Sequence, residues 1–190
     1  MQSTRDQILQ LANRYILEKG FNAFSFHDLA RELGIKTASV HYHFPTKTAL
    51  GVALVRDYTH QVNTLREQTQ SLPPAEQLKA YLSIYTRHHA DHRVCVVGSL
   101  APDLYTLDPS MAVELKKLAE IILEWVTAIL EEGRAAAVFQ FPELPRTRAL
   151  LLVTNMLASL PLTRLTTPQD FDILQQAIVQ GLQPASSSNR

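Results

Sequence analysis

The stretch from Ser25 to Leu50, SFHDLARELGIKTASVHYHFPTKTAL, leaves the chain few folds to choose from. Ser25 is placed to cap a helix, with Asp28 three residues on to complete a capping box. Phe26, Leu29, Ala30 and Leu33 recur at helical spacing and give that helix a buried face. Gly34 ends it, because glycine accepts the left-handed conformation that a sharp stop requires. Ile35 packs into the turn, and a second helix of about two turns is expected from near Thr37 to Tyr42, with Val40 and Phe44 four apart on its inner face. Its outer face carries Thr37, Ala38, Ser39, His41 and Tyr42, groups that can enter a major groove. Pro45 breaks the chain, and Thr46 restarts it as a cap with Lys47 in the first turn. A lysine at a helix start opposes the macrodipole, so its presence points to a phosphate bound there together with the free backbone N–H groups. The pattern is a helix-turn-helix, and its second helix is expected to read DNA.

These residues carry a family resemblance. The stretch resembles the DNA-binding domain of TetR/AcrR-family transcriptional repressors. That family's run of a glycine, a short reading helix, an aromatic–His–Phe triplet and a Lys-containing helix start is matched by Gly34, Tyr42, His43, Phe44 and Lys47. The match is strong from about Thr4 to Arg56 and extends beyond it in helical layout alone. His41 stands where the family usually has a phosphate-contacting tyrosine, and Lys36 where a capping serine is common. Thr37 and Ser39, with Ala38 on the same outer face, are expected toward bases and His27 at the edge. Lys36, His41, Tyr42, His43 and Lys47 are expected toward phosphates or the groove rim.

Net charge is zero over 190 residues, which by itself argues against a nucleic-acid binder. The distribution corrects that: the first 66 residues carry +3 and the remainder −3. A modestly basic end on a neutral protein suits a regulator that must let go of DNA. The single cysteine excludes an intrachain disulfide and fits a reducing compartment. The chain opens without a basic-then-apolar signal segment. The most apolar run, Ala149 to Leu162, is shorter than the ~20 residues a bilayer span needs. A soluble, cytoplasmic protein without membrane contact is the expectation.

Apolar spacing predicts helices throughout, so the fold class expected is all-α. Ser3 or Thr4 caps a first helix with Ile8, Ala12, Tyr15 and Ile16 on one stripe, closed by Gly20. A long helix runs from Lys47 to about Gln70 and is broken by Pro73 and Pro74. Ala75 to about Ala90, a short segment within Val94 to Leu104, and a helix opened by Asp108-Pro109 and ended at Gly133 follow. Ala149 to Leu165 is apolar nearly all round, and Thr167-Pro168 opens the last helix. A three-helix helix-turn-helix head (residues 1–46), a helical effector-binding and dimerisation body (47–183) and a disordered tail (184–190) are the domains expected.

The candidate sites of the body rest on less. A helix apolar on all sides needs cover on two, which a second copy supplies. Leu150, Leu157, Leu160, Phe171, Leu174 and Ile178 are the residues expected at this homodimer interface, and the family resemblance implies the same four-helix arrangement. The resemblance also implies a pocket for a small-molecule effector of unknown identity. Tyr81, Tyr85, His88, Cys95, Tyr105 and Trp125 are candidates to line it, although aromatic residues such as these and Phe139 are core by default. Among His88, His89, His92 and Cys95, His88 and His92 are four apart and would share a face of a continued helix, as zinc ligands can, but histidines in a last helical turn also suit the helix dipole, and no metal or cofactor is expected. No nucleophile–base order or paired carboxylates stand out, so the chain is not expected to be an enzyme. Two alternatives stay open: a redox- or electrophile-sensing repressor switched through Cys95, and a helical interaction module without DNA function.

Overall fold

The computed structural model describes residues 2–183, and the tail expected to be disordered, 184–190, lies outside them. Nine α-helices account for nearly all the regular structure among the described residues, and no strand is present among them. They are α1 (Thr4–Lys19), α2 (Phe26–Leu33), α3 (Thr37–His43), α4 (Lys47–Thr69), α5 (Pro74–Ala90), α6 (Val96–Leu100), α7 (Pro109–Ala135), α8 (Pro145–Thr163) and α9 (Pro168–Gln180). Short 3₁₀ turns follow α1 at Phe21–Ala23 and α6 at Ala101–Asp103. None of these helices is long and apolar enough to cross a membrane. By internal packing the described chain falls into two units, residues 2–61 with 94–119, and residues 62–93 with 120–183. The division at residue 46 follows the expected DNA-binding role instead, and it stays a proposal about function.

The first unit is built on α1. Ser3 caps it by accepting from the Asp6 N–H, and Gly20 closes it at φ 89°. Ile8, Ala12, Tyr15 and Ile16 are buried along one stripe, as their spacing requires. Against that stripe pack Phe21, Phe24, Phe26, Leu29, Val40 and Phe44, with Leu50, Leu54 and Val55 from the start of α4. Tyr15 and Arg14 both donate to the Glu32 carboxylate, which ties α1 to α2. Tyr58 of α4 donates to Asn13 Oδ1 at 2.8 Å. The end of α1 also holds the segment around α6, since Ser99 Oγ donates to the Ile16 carbonyl at 2.6 Å. Gly51 of α4 faces α7 so closely that a Cβ there would meet Met111 Sδ at 2.6 Å. Arg56 and Glu114 close the same contact with an ion pair at 2.7 Å.

The second unit is held by aromatic and long aliphatic side chains. Leu78, Tyr81, Leu82 and Tyr85 of α5 pack with Trp125, Val126, Ile129 and Leu130 of α7, and with Leu152, Met156 and Leu160 of α8. The α8 and α9 helices pack against each other across a connection of only 164–167. Thr167 and Asp170 form a capping box that starts α9 behind Pro168. His89 of α5 stacks flat on Phe171 of α9, with ring centroids 4.3 Å apart.

One expected boundary is corrected. Gly133 does not end α7, which runs on to Ala135. The chain reverses at Ala137, which takes φ 55°, and the Val138 and Phe139 N–H groups both return to the Gly133 carbonyl at 2.8 and 3.0 Å. Glycine is needed at 133 for a packing reason: a Cβ there would overlap the Phe139 ring, which lies directly on the helix backbone. The segment expected as one short helix within Val94 to Leu104 is likewise divided into α6 and a 3₁₀ turn.

Glycine to alanine inside a helix normally gains about 0.5–1 kcal/mol. Gly133→Ala is instead expected to destabilise by roughly 1–3 kcal/mol, because the added methyl must displace Phe139. Urea unfolding of the two proteins checks this, and a variant as stable as the parent would refute the packing reason.

Candidate nucleic-acid interface

The helix pair α2–α3 is set by its caps. Ser25 Oγ accepts from the Asp28 N–H at 3.3 Å while Asp28 Oδ2 accepts from the Ser25 N–H at 2.9 Å, the reciprocal capping box. Ser25 Oγ also donates to Asp28 Oδ2 at 2.7 Å, and this bond, followed by that from the Ser25 N–H, holds the Asp28 carboxyl below the usual carboxylate range. Its negative charge therefore persists at the start of α2, where the macrodipole favours it. Arg31 Nη2 reaches the same carboxylate at 2.8 Å. Gly34 stops α2 at φ 66°, ψ 28°, and the Ile35 N–H folds back to the Ala30 carbonyl at 3.0 Å.

The α3 helix then runs Thr37–His43 from Lys36, which occupies the cap position without a side-chain cap bond. Val40 and Phe44 are buried, so α3 presents its other faces outward. Ala38, His41 and Tyr42 are exposed there, with Lys36 and His27 exposed beside them. Thr37, Ser39 and His43 are half-buried along the same surface. Tyr42 is 84% exposed, with its ring edge-to-face on His43 at 5.1 Å. His41 is oriented from both sides: its ring meets Phe26 at 4.9 Å, and Nδ1 lies 3.3 Å from the Pro45 carbonyl. A carbonyl only accepts, so Nδ1 carries the proton and donates, leaving Nε2 as the outward atom. Thr46 Oγ1 accepts from the Ala49 N–H at 3.0 Å and caps α4.

Lys47, expected toward a phosphate, is turned inward in this structure. Its Nζ donates to the Phe24 carbonyl and lies over the Phe24 and Phe21 rings, 4.4 and 4.8 Å from their centroids. Burial lowers its pKa, since the ammonium is partly withdrawn from water. Two aromatic rings more than twenty residues upstream compete with any phosphate for this cation. Arg5, which was not singled out from the sequence, is brought by α1 over the Phe44 ring at 5.2 Å. It shares a concave surface of about 670 Å³ with Thr46, Thr48 and Arg56. Thr46, Thr48 and Arg56 all lie far along the chain from Arg5, and no local spacing signals the meeting.

The other candidate residues are distributed differently from expectation. Tyr81, Tyr85 and Trp125 do come together in the second unit, but as core: Tyr81 meets Trp125 edge-to-face at 5.6 Å and Tyr85 at 5.5 Å, and the two hydroxyls are 3.0 Å apart. The Trp125 indole N–H has no hydrogen-bond partner among the described residues. His88 is half-buried beside them in sequence, with a pKa lowered first by burial and then by Arg87. Cys95 and Tyr105 belong to the first unit instead. Tyr105 is 97% exposed, neither core nor pocket wall, because it sits in the turn between α6 and α7. Cys95 is buried, and that burial pushes its thiol up to about 11. Among the described residues no three His, Cys, Asp or Glu side chains converge as a metal site would need.

For the expected dimer face, Leu150 is exposed and Leu157, Leu174 and Ile178 are half-buried. Leu160 and Phe171 are corrected: both are buried within the chain itself, Phe171 under His89, and have no surface to offer a partner. Leu151, Leu162 and Ile173 on these helices, and Leu165 in the turn between them, not named from the sequence, are exposed.

Comparison with known proteins agrees with this geometry. The sequence profile described as "Bacterial regulatory proteins, tetR family" matches residues 8–54, which span most of α1 through the start of α4. The solved structure of a TetR transcriptional regulator from Legionella pneumophila is similar over 96% of this chain and 99% of its own, with 30% identity and a TM-score of 0.86. The HTH-type transcriptional repressor KstR2 of Mycolicibacterium smegmatis is 28% identical over 142 residues, 73% of this chain and 68% of that protein. The uncharacterized HTH-type transcriptional regulator YerO of Bacillus subtilis is 26% identical over 108 residues, 55% of this chain, and the match spans only 37% of YerO. With its helix-turn-helix geometry and its full-length likeness to the Legionella regulator, this chain belongs to the TetR family of DNA-binding transcriptional regulators.

Proposed function

We propose that the protein is a homodimeric one-component repressor of the cytoplasm, bound to a pseudo-palindromic operator and released by a small-molecule effector held in the body. The observation that carries the DNA reading is the outer surface of α3. Small and polar groups there flank an aromatic ring left 84% exposed, on a helix whose inner face is fully committed to the core. In this reading Thr37, Ala38 and Ser39 meet base edges, and Tyr42 lies against the backbone or groove rim. His27, Lys36, His41 and His43 surround them. Lys47 acts on this surface chiefly by fixing the start of α4, with Arg5 as an added cation at the rim. Repression is supported by KstR2, which is named a repressor.

Lys36→Ala is expected to weaken binding to all DNA sequences about equally and to lower the salt slope by about 1. Ser39→Ala is expected to change which base pair is preferred. Mobility shifts on the DNA upstream of its own gene, taken at several salt concentrations, test both. Absence of salt-dependent binding by the parent protein would leave the interaction-module alternative in its place.

Dimerisation is supported by the solvent-facing leucines of α8. Leu150, Thr154, Ala158 and Leu162 follow at four-residue spacing and are all exposed, with Leu151 and Leu165 beside them. An exposed stripe this rich in leucine supports a second copy of the same helices as its cover. Leu162→Glu places its charge in water in the single chain, but buries it unpaired in the dimer, at a cost of several kcal/mol. Sedimentation is expected to show the variant as monomer and the parent as dimer, with operator affinity falling alongside. A parent that sediments as a monomer at micromolar concentration would remove this part of the proposal.

The Cys95 alternative loses support from burial. A thiol pushed up to about 11 is almost wholly protonated near neutral pH, and the thiol is the inert form. N-ethylmaleimide is therefore expected to label Cys95 only after denaturation. Rapid labelling of the native protein that also releases operator DNA would restore the sensor reading.

A further inference from the structure

Between α5 and α9 runs a groove of about 720 Å³, within the range of small-molecule sites, whose composition points to one class of ligand. Leu78, Leu82, Phe139 and Val179 make its floor and sides. Polar lining comes from glutamine amides and hydroxyls, and two cations, Lys79 and Arg87, stand on the α5 wall. No carboxylate lines it among the described residues. The two cations are eight residues apart on one helix, roughly 12 Å along its axis. Lys79 already faces Glu76 at 3.8 Å, whereas Arg87 has no carboxylate partner among the described residues. Next to Arg87, Gln175 Nε2 donates to Thr86 Oγ1 at 3.1 Å, which fixes the α9 wall at that end.

We infer that this groove binds an amphipathic carboxylate, with the acid group paired to Arg87 and an aliphatic or aromatic body lying over Leu82, Leu78 and Phe139. A guanidinium matches a carboxylate with two parallel hydrogen bonds, and a groove with cations and no acid selects the anion over a neutral or cationic amphiphile. The aromatic cluster of Tyr81, Tyr85 and Trp125 packs against itself, and the open volume lies instead on the other side of α5, where this ligand sits. As the effector, the ligand rests on the repressor reading given above.

Titration calorimetry of the full-length protein with decanoate tests the site, with decanol and decylammonium as neutral and cationic comparisons. Decanoate is expected to bind once per chain and more tightly than either. Arg87→Gln is expected to weaken decanoate by about tenfold or more and to leave decanol unchanged. Val179→Glu, at a partly exposed position on the rim, is expected to abolish decanoate binding without unfolding the chain. Lys79→Gln is expected to change little. Absence of decanoate binding, equal affinity for decanol, or an unaffected Arg87→Gln variant would each overturn the site. In mobility shifts, decanoate is expected to release the parent from its operator and to spare the Arg87→Gln variant at the same concentration. Decanoate that binds without releasing DNA overturns the groove as effector site. A protein that never binds its operator overturns the repressor reading instead, and the ligand-free shift shows which has failed.

Discussion

A seven-residue helix does not hold its shape in water, because nucleation costs more than two turns of hydrogen bonds return. The seven-residue helix α3 depends on the burial of Val40 and Phe44 against α1 and α2. That burial sets which faces of α3 look outward, and so which side chains a duplex can meet. The stop at Gly34 and the cap at Ser25 serve the same end, since they fix where α2 finishes and at what angle the chain turns. Loosening this packing would leave the outward residues chemically unchanged but no longer in register with a groove.

The head was legible in the sequence because its signals are local. A cap with its partner three residues on, a left-handed glycine, and apolar residues four apart are each read from within about one helical turn. Where the chain meets itself over distance, local spacing carried no signal. Lys47 looked like a phosphate ligand from its position at a helix start, and the rings of Phe21 and Phe24 drew it inward. Gly133 looked like a helix stop and proved to be a seat for Phe139. Arg5 carried no signal at all until α1 set it beside Phe44.

The body shows a second limit of periodicity. A helix that is apolar nearly all round, as α8 is, has no pattern to say which side faces its own chain. Leu160 and Phe171 were assigned outward and are core, while Leu151, Leu162 and Ile173 are exposed. The aromatic residues of α5 and α7 posed the same question. Their edge-to-face packing leaves no space among them, and the open volume lies across α5.

The cations of residues 2–61 are mostly occupied. Arg14 is paired with Glu32, Arg31 with Asp28 and Arg56 with Glu114, and Lys47 is turned toward two rings and a carbonyl. Lys36, Arg5 and Lys19 have no carboxylate ion pair among the described residues, and Lys19 lies over the Tyr15 ring. Counterion release scales with the phosphates a protein neutralises, so few free cations mean a weak hold on arbitrary sequence. On the proposed reading, such a regulator would dwell briefly at wrong sites and exchange quickly along the chromosome. Its choice of site would then be made by fit in the groove rather than by charge, and its search would be fast because its mistakes are short.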